Sequence, residues 1–143
     1  MQAFLIDTNV LSELMRAQPD KKVFEWFDAH FNAECYVSAV TKAEIFLGIR
    51  LLPKGKRQER LTEAAEKMFA QEFVSRCLPF DEKAADLYAQ IVAERTRIGK
   101  PVSTEDAQIA AIAMAFGLDL VTRNIKDFEG INGLKTMNPW DGN

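Results

Sequence analysis

AFLIDTNVLSELMRA, residues 3–17, decides the fold class. Four residues with strand character stop at Asp7, and the spacing of the residues that follow is helical, with Thr8 or Asn9 placed to cap the helix. A strand that runs directly into a helix opens a β/α unit. The question for the rest of the chain is whether that unit repeats.

It does. ECYVSAV (34–40) reads as a second strand, and TKAEIFLGIRLL (41–52) returns to helical spacing with Ile45, Ile49 and Leu52 on one side. Before them Asp20 caps a helix over 20–30 whose broad apolar face is Val23, Phe24, Trp26 and Phe27. PKGK (53–56) breaks the pattern before an amphipathic helix, 58–73, that turns Leu61, Ala65, Met68 and Phe69 to a core. RCLPF (76–80) is a third strand. Asp81 caps the next helix, which Gly99 and Pro101 close. STEDAQIAAIAMAFG (103–117) is helical, with Ile109, Ile112, Ala113 and Phe116 recurring, LDLVT (118–122) is a fourth strand and LKTMNPW (134–140) a fifth. Short strands alternating with helices predict an α/β protein built on a central parallel sheet of four to five strands, covered on both faces.

The bulk numbers agree with one soluble domain over 1–143: hydrophobic residues make up 48% and charged residues 27%, with seven Gly and five Pro. No apolar run is long enough for a membrane span, and the acid at Asp7 comes too early for a signal peptide, so a cytoplasmic location without membrane contact is expected. Cys35 and Cys77, each inside a short apolar stretch, read as reduced, buried thiols. A net charge of −3 speaks against a general nucleic-acid coat, though not against a local basic patch.

In open parallel sheets ligands bind beyond the carboxyl ends of the strands, which here are Asp7, Ser38 and Asn124. Alone, Asp7 reads as a cap or turn acid. Glu44 completes a capping box with Thr41, and Asp106 sits in the first turn of the helix that Ser103 caps. Asp106 shares a helical face with Ile109, Ala110 and Ala113, so it turns inward and Glu105 turns to solvent. Together the three acids can converge at one end of the sheet. Clustered carboxylates repel unless a cation or proton neutralises them, and hard oxygen donors suit Mg2+ or Mn2+. Such a centre hydrolyses phosphodiesters without a side-chain nucleophile. The only histidine, His30, lies at a helix end and reads as a surface or capping residue, which leaves no histidine pair for metal-free ribonuclease chemistry.

LIDTNVLSEL, SAVTKAEIFLGI, STEDAQIAAIA, LVTRNIKDF and MNPW, in this order and spacing, resemble the PIN-domain ribonuclease toxins of the VapC type, particularly their FitB-like branch. The resemblance covers essentially the whole chain. It implies an α/β/α sandwich (PIN-like fold), a Mg2+- or Mn2+-dependent endoribonuclease acting on RNA, and a homodimer able to build a higher toxin-antitoxin assembly. It also implies a cognate antitoxin that inserts a C-terminal segment into the active site, with DNA contacted only through that antitoxin. By position Asp7, Glu44 and Asp106 match the acidic metal-binding residues, with Asp7 and Asp106 as direct ligands and Glu44 binding through water or orienting the attacking water. The fourth position, an acid in many members, is Asn124 here, so the site is less anionic or recruits Asp127. Asn124 is expected closer to the pocket than Asp127. Thr8 and Asn9 would orient Asp7, and Ser103 or Thr122 would support the ligands.

Other readings remain. Asp7 after the first strand suits the nucleophile of an aspartyl-phosphate phosphatase, although such enzymes want a second Asp where Asn9 stands. A non-enzymatic partner-binding module would use the acids only as caps. Lys54, Lys56, Arg57 and Arg60 read first as a basic loop entering an exposed helix and second as a phosphate contact. Trp140 reads as packing against the sheet.

Overall fold

The structure, a computed structural model, describes residues 2–30 and 32–141; Met1, Phe31, Gly142 and Asn143, which the expectation of one domain over 1–143 includes, lie outside the described residues. Five strands form one sheet: β1 (Ala3–Ile6), β2 (Glu34–Ser38), β3 (Cys77–Leu78), β4 (Asp119–Val121) and β5 (Thr136–Met137). Their order is β3-β2-β1-β4-β5, and every pairing is parallel. The helices are α1 (Thr8–Leu14), α2 (Lys21–Ala29), α3 (Ala39–Arg50), α4 (Lys56–Lys67), α5 (Glu82–Arg97), α6 (Thr104–Ala115) and α7 (Ile125–Phe128). A π-helical turn, Met68–Glu72, extends α4, and a 3-10 turn covers Pro139–Asp141.

β1 lies at the centre because AFLI is apolar on both sides. Its side chains alternate faces. Phe4 and Ile6 join a core with Val10, Trp26, Val37, Ile45 and Phe69, on the side of α1 to α4. Leu5 joins the opposite core with Ala84, Ile91, Ile109, Ile112 and Leu120, under α5 and α6. Each such fully buried large side chain stabilises the fold by roughly 1.5–3 kcal/mol before entropy is counted. α6 is buried nearly all round, from Ala107 through Ala113 apart from Gln108, because its alanines let α5 and the sheet approach closely.

Four local expectations need correction. The N-cap of α1 is Asp7 itself, whose side chain accepts from the Thr8 amide, and not Thr8 or Asn9. α3 starts two residues before Thr41, capped by Ser38, so Thr41 and Glu44 form no capping box. Phe24 is 60% exposed, because α2 buries the stripe of Val23 and Trp26 and Trp26 takes the contact with Phe4, at 5.2 Å between ring centres. Phe116 is 40% exposed at the C-cap of α6, where Gly117, with φ of 68°, turns the chain into β4.

The order of the strands fixes where a site forms. Successive strands run outward from β1 to β3, and the chain then crosses back to lay β4 on the other side of β1. The gap at the carboxyl ends of β1 and β4 is therefore the topological switch point. Asp7 stands in that gap, with its N–H donating to Val121 O at 2.9 Å.

Candidate active site

Asp7 is 4% exposed and densely held. Its Oδ1 accepts from the Thr8 amide at 2.8 Å, and its Oδ2 accepts from Thr122 Oγ1 at 2.7 Å and Asn9 Nδ2 at 3.3 Å. Burial pushes its carboxyl up to about 6; the Thr122 and Thr8 bonds pull the other way, and the charges of Asp106 and Glu44 add to the rise.

Glu44 enters from the middle of α3. Its Oε1 accepts from Thr8 Oγ1 at 2.6 Å, while Thr8 Oγ1 lies 3.0 Å from Thr41 Oγ1 and that hydroxyl 3.3 Å from Ser38 Oγ. A hydroxyl has one proton, so the Thr8 proton goes to the short charge-assisted bond and Thr41 supplies the next one. Thr8 thus ties both acids, Asp7 through its amide and Glu44 through its hydroxyl. With the capping box gone, Glu44 has no helix-capping task.

Asp106 is half-buried at the start of α6, where its amide donates to Ser103 Oγ at 3.2 Å, and Glu105 beside it is exposed. Burial raises its pKa; the Ser103 hydrogen bond opposes this, and Asp127, Glu44 and Glu105 add repulsion. Asp7 therefore senses the charges of Asp106 and Glu44, and Asp106 those of Asp127 and Glu44. Among the described residues the ion pairs are Arg16 with Glu13 and Lys21 with Glu25, so no protein cation pairs with this group.

Asn124 and Asp127 are both exposed. Asn124 contributes through its backbone, donating to Thr122 Oγ1 at 3.1 Å, and its side chain makes no cap bond to α7. Asp127 contributes charge to Asp106 from the first turn of α7. A residue that sequence reasoning passed over holds this side together. Arg95 of α5 is 5% exposed and donates through Nε to Lys100 O at 2.8 Å, through Nη2 to Asp127 O at 3.5 Å, and through Nη1 to Glu129 O. It joins the segment leading to Asp106 to the segment bearing Asp127. Nothing in an amphipathic helix marks one arginine as buried.

The donor set fits a hard divalent ion. All the converging groups are oxygens, and their mutual repulsion is what a cation relieves. Among the described residues no three Asp, Glu, His or Cys side chains are grouped so that together they could hold a metal ion. Mg2+ does not need such a group of three, since it usually keeps several waters and takes only one or two carboxylates.

A groove of about 290 Å3 opens beside Thr8 and Glu44, lined by Met15, Ile45, Ile49 and Leu61 together with Arg16 and Arg57. Lys54 and Lys56 are exposed. Trp140 packs partly buried against the Phe4 side of the core, as its sequence context suggests. His30 stacks on Trp26 at 4.0 Å and contacts Trp26 O through Nδ1 at 2.6 Å, so it serves the packing of α2.

The family model for the PIN domain matches residues 4–134. The chain is 39% identical over 137 residues to the VapC ribonuclease Y4jK of Sinorhizobium fredii, covering 96% of this chain and 97% of that protein. It is 40% identical over 136 residues to the toxin FitB of Neisseria gonorrhoeae, covering 95% and 97%. The solved structure of FitAB bound to the IR36 DNA fragment superposes with a TM-score of 0.86 at 38% identity, over 96% of this chain and 95% of that one. With a parallel sheet, acids at its switch point and matches over nearly the full length, the chain belongs to the PIN-domain family, beside the VapC ribonucleases and the FitB toxin.

Proposed function

We propose that this protein is the toxin of a type II toxin-antitoxin pair, a Mg2+- or Mn2+-dependent endoribonuclease that hydrolyses RNA phosphodiester bonds in the cytoplasm. The observation that carries this reading is Asp7, buried at the switch point and joined through Thr8 to Glu44, with no ion-pair partner for either among the described residues. The similarity to a VapC ribonuclease supports the substrate class, and the similarity to the FitB toxin supports the biological role.

Asp7 and Asp106 would hold the ion directly and Glu44 through water; when bound it would supply charge neutralisation at the phosphoryl group and a more acidic water. Asp7 is fixed for that task by Thr8, Asn9 and Thr122. Glu44 spends Oε1 on Thr8, which leaves Oε2 to orient and deprotonate the attacking water. Asp127 adds the fourth charge through Asp106, and Asn124 steadies Thr122.

An antitoxin segment suits the apolar groove that starts at Thr8 and Glu44. The exposed Leu47 and Leu51, one turn apart at the end of α3, offer apolar surface for a homodimer or a larger toxin-antitoxin assembly. DNA would be reached through the antitoxin, in keeping with the DNA-bound FitAB structure. The cytoplasmic placement is consistent with the helices, none of which, among the described residues, is long and apolar enough to cross a membrane. The chain acts as one PIN domain over 1–143.

The phosphatase reading is disfavoured, because Asn9 stands where such enzymes want a second Asp and its amide donates to Asp7 Oδ2. The acids-as-caps reading fails for Glu44, because α3 is capped by Ser38. Incubation of purified protein with total RNA tests the proposal. Cleavage should require Mg2+ or Mn2+, stop with EDTA, and vanish in Asp7→Asn; cleavage that survives both would sink it.

A further inference from the structure

Arg123 is the first exposed residue after β4, and its placement is unusually determined. Its backbone N–H donates to Asn9 Oδ1 at 3.1 Å, while the amide of the same Asn9 side chain reaches Asp7 Oδ2 at 3.3 Å. Its carbonyl accepts from Asn138 Nδ2 at 3.3 Å, and Asn138 Oδ1 in turn accepts from the Trp140 amide at 2.9 Å. The guanidinium lies 4.6 Å over the Trp140 ring. Trp140 itself is backed by the core beneath β1.

A cation two residues past the strand end, one side chain away from Asp7, would ordinarily close on the nearest carboxylate. Among the described residues Arg123 forms no ion pair; its guanidinium rests over the indole instead. Stacking on an aromatic face removes much of the freedom of a long side chain before any ligand arrives. The edge of the guanidinium, with its fork of N–H donors, stays available to a planar or tetrahedral oxyanion.

We propose that Arg123, propped by Trp140, is a substrate-binding residue that grips an RNA phosphate next to the scissile one, at the rim of the acidic pocket. This inference rests on the nuclease reading above. Its physical sense is a division of charge: the acids attract the cation that serves the reacting phosphate, and repel the rest of the polyanion. A fixed arginine at the rim offsets that repulsion at one neighbouring phosphate and sets the register of the strand across Asp7.

Steady-state cleavage of a short fluorescein-labelled single-stranded RNA in Mn2+, repeated over a salt series, tests this with Arg123→Met, Arg123→Lys and Trp140→Leu. Arg123→Met should lower kcat/KM by about ten-fold, chiefly through KM, and flatten the slope of log kcat/KM against log salt by about one. Arg123→Lys should restore the slope but only part of KM, because an ammonium lacks the fork. Trp140→Leu should raise KM with the slope intact. The rise in Tm caused by Mn2+ should be the same in wild type and Arg123→Met. An unchanged KM and salt slope in Arg123→Met, or a loss confined to kcat, overturns the inference. A wild-type protein that cleaves no RNA with Mn2+ instead brings down the nuclease reading, and this inference with it.

Discussion

Asp7 and Asp127 are both aspartates at the same end of one sheet, yet they are held in opposite ways. Asp7 is 4% exposed and its carboxylate accepts from Thr8, Asn9 and Thr122, whereas Asp127 is exposed on a four-residue helix and is tied through its backbone carbonyl to Arg95. One wall fixes the charge itself. The other fixes only the chain that carries the charge. The difference teaches that the β1 side sets the position of the reaction, while the α7 side adjusts how strongly the site attracts a cation.

The sharpest way to break that contrast is Asp7→Asn. RNA cleavage should fall by about 1,000-fold or more, because a ligand at the fixed wall is lost and its loss removes several kcal/mol of transition-state stabilisation. The same change should stabilise the protein in the absence of metal. The folded carboxyl of Asp7 sits at about 6, against 3.8 for the ordinary group, so the folded state holds its proton where the unfolded chain has released it. Wild-type stability in EDTA therefore declines as pH rises from about 4 through 6, by up to roughly 3 kcal/mol for this group. Urea melts at pH 4 and 7 should show Asp7→Asn gaining on wild type only at the higher pH, and an equal gap at both would contradict the burial argument.

Thr122→Val keeps the shape of the wall and removes the hydroxyl that bonds Asp7 and accepts from Asn124. Activity should drop by about 10- to 100-fold with weaker Mn2+ binding, as measured by titration of the metal requirement. Arg95→Lys reaches the opposite wall. One ammonium cannot serve the Lys100, Asp127 and Glu129 carbonyls in the same fork, so urea melts should show a loss of about 1–3 kcal/mol and cleavage should fall less than in Thr122→Val. Smallest of all, Asp127→Asn should change cleavage only a few-fold, on the order of a single screened charge. It should also lower the pKa of Asp106 by removing a repelling neighbour, which a carboxyl 13C NMR titration would detect. If Asp127→Asn abolished activity as Asp7→Asn does, the division of labour between the walls would be wrong.

How much of this was legible in the sequence differs along the same divide. The strands and their parallel pairing follow from short apolar runs alternating with helical segments, whereas the order β3-β2-β1-β4-β5 that makes the β1/β4 edge the switch point has no signal in the sequence. Asp106 was separable from Glu105 by helical phase alone, and the structure keeps them apart, half-buried against exposed. Glu44 was misattributed to a capping box, because a Thr-x-x-Glu spacing looks the same inside a helix as at its start; only the position of Ser38 at the end of β2 reveals that α3 has already begun. Arg95 could not be found from sequence. Its partners are backbone carbonyls at 100, 127 and 129, and carbonyls carry no residue identity.

The hydrogen bond from Thr122 to Asp7 joins residues 115 positions apart. Thr122 leaves the ribosome long after Asp7, and the strand that presents Thr122 pairs directly with the strand that presents Asp7. Contacts so distant in sequence form late, after the loop between them has closed. A growing chain, or one cut short by a nonsense codon or frameshift anywhere before β4, thus carries its first acid without the wall that shapes it. For a protein proposed to destroy RNA inside the cell that makes it, the fold delays the weapon until the ribosome has passed β4.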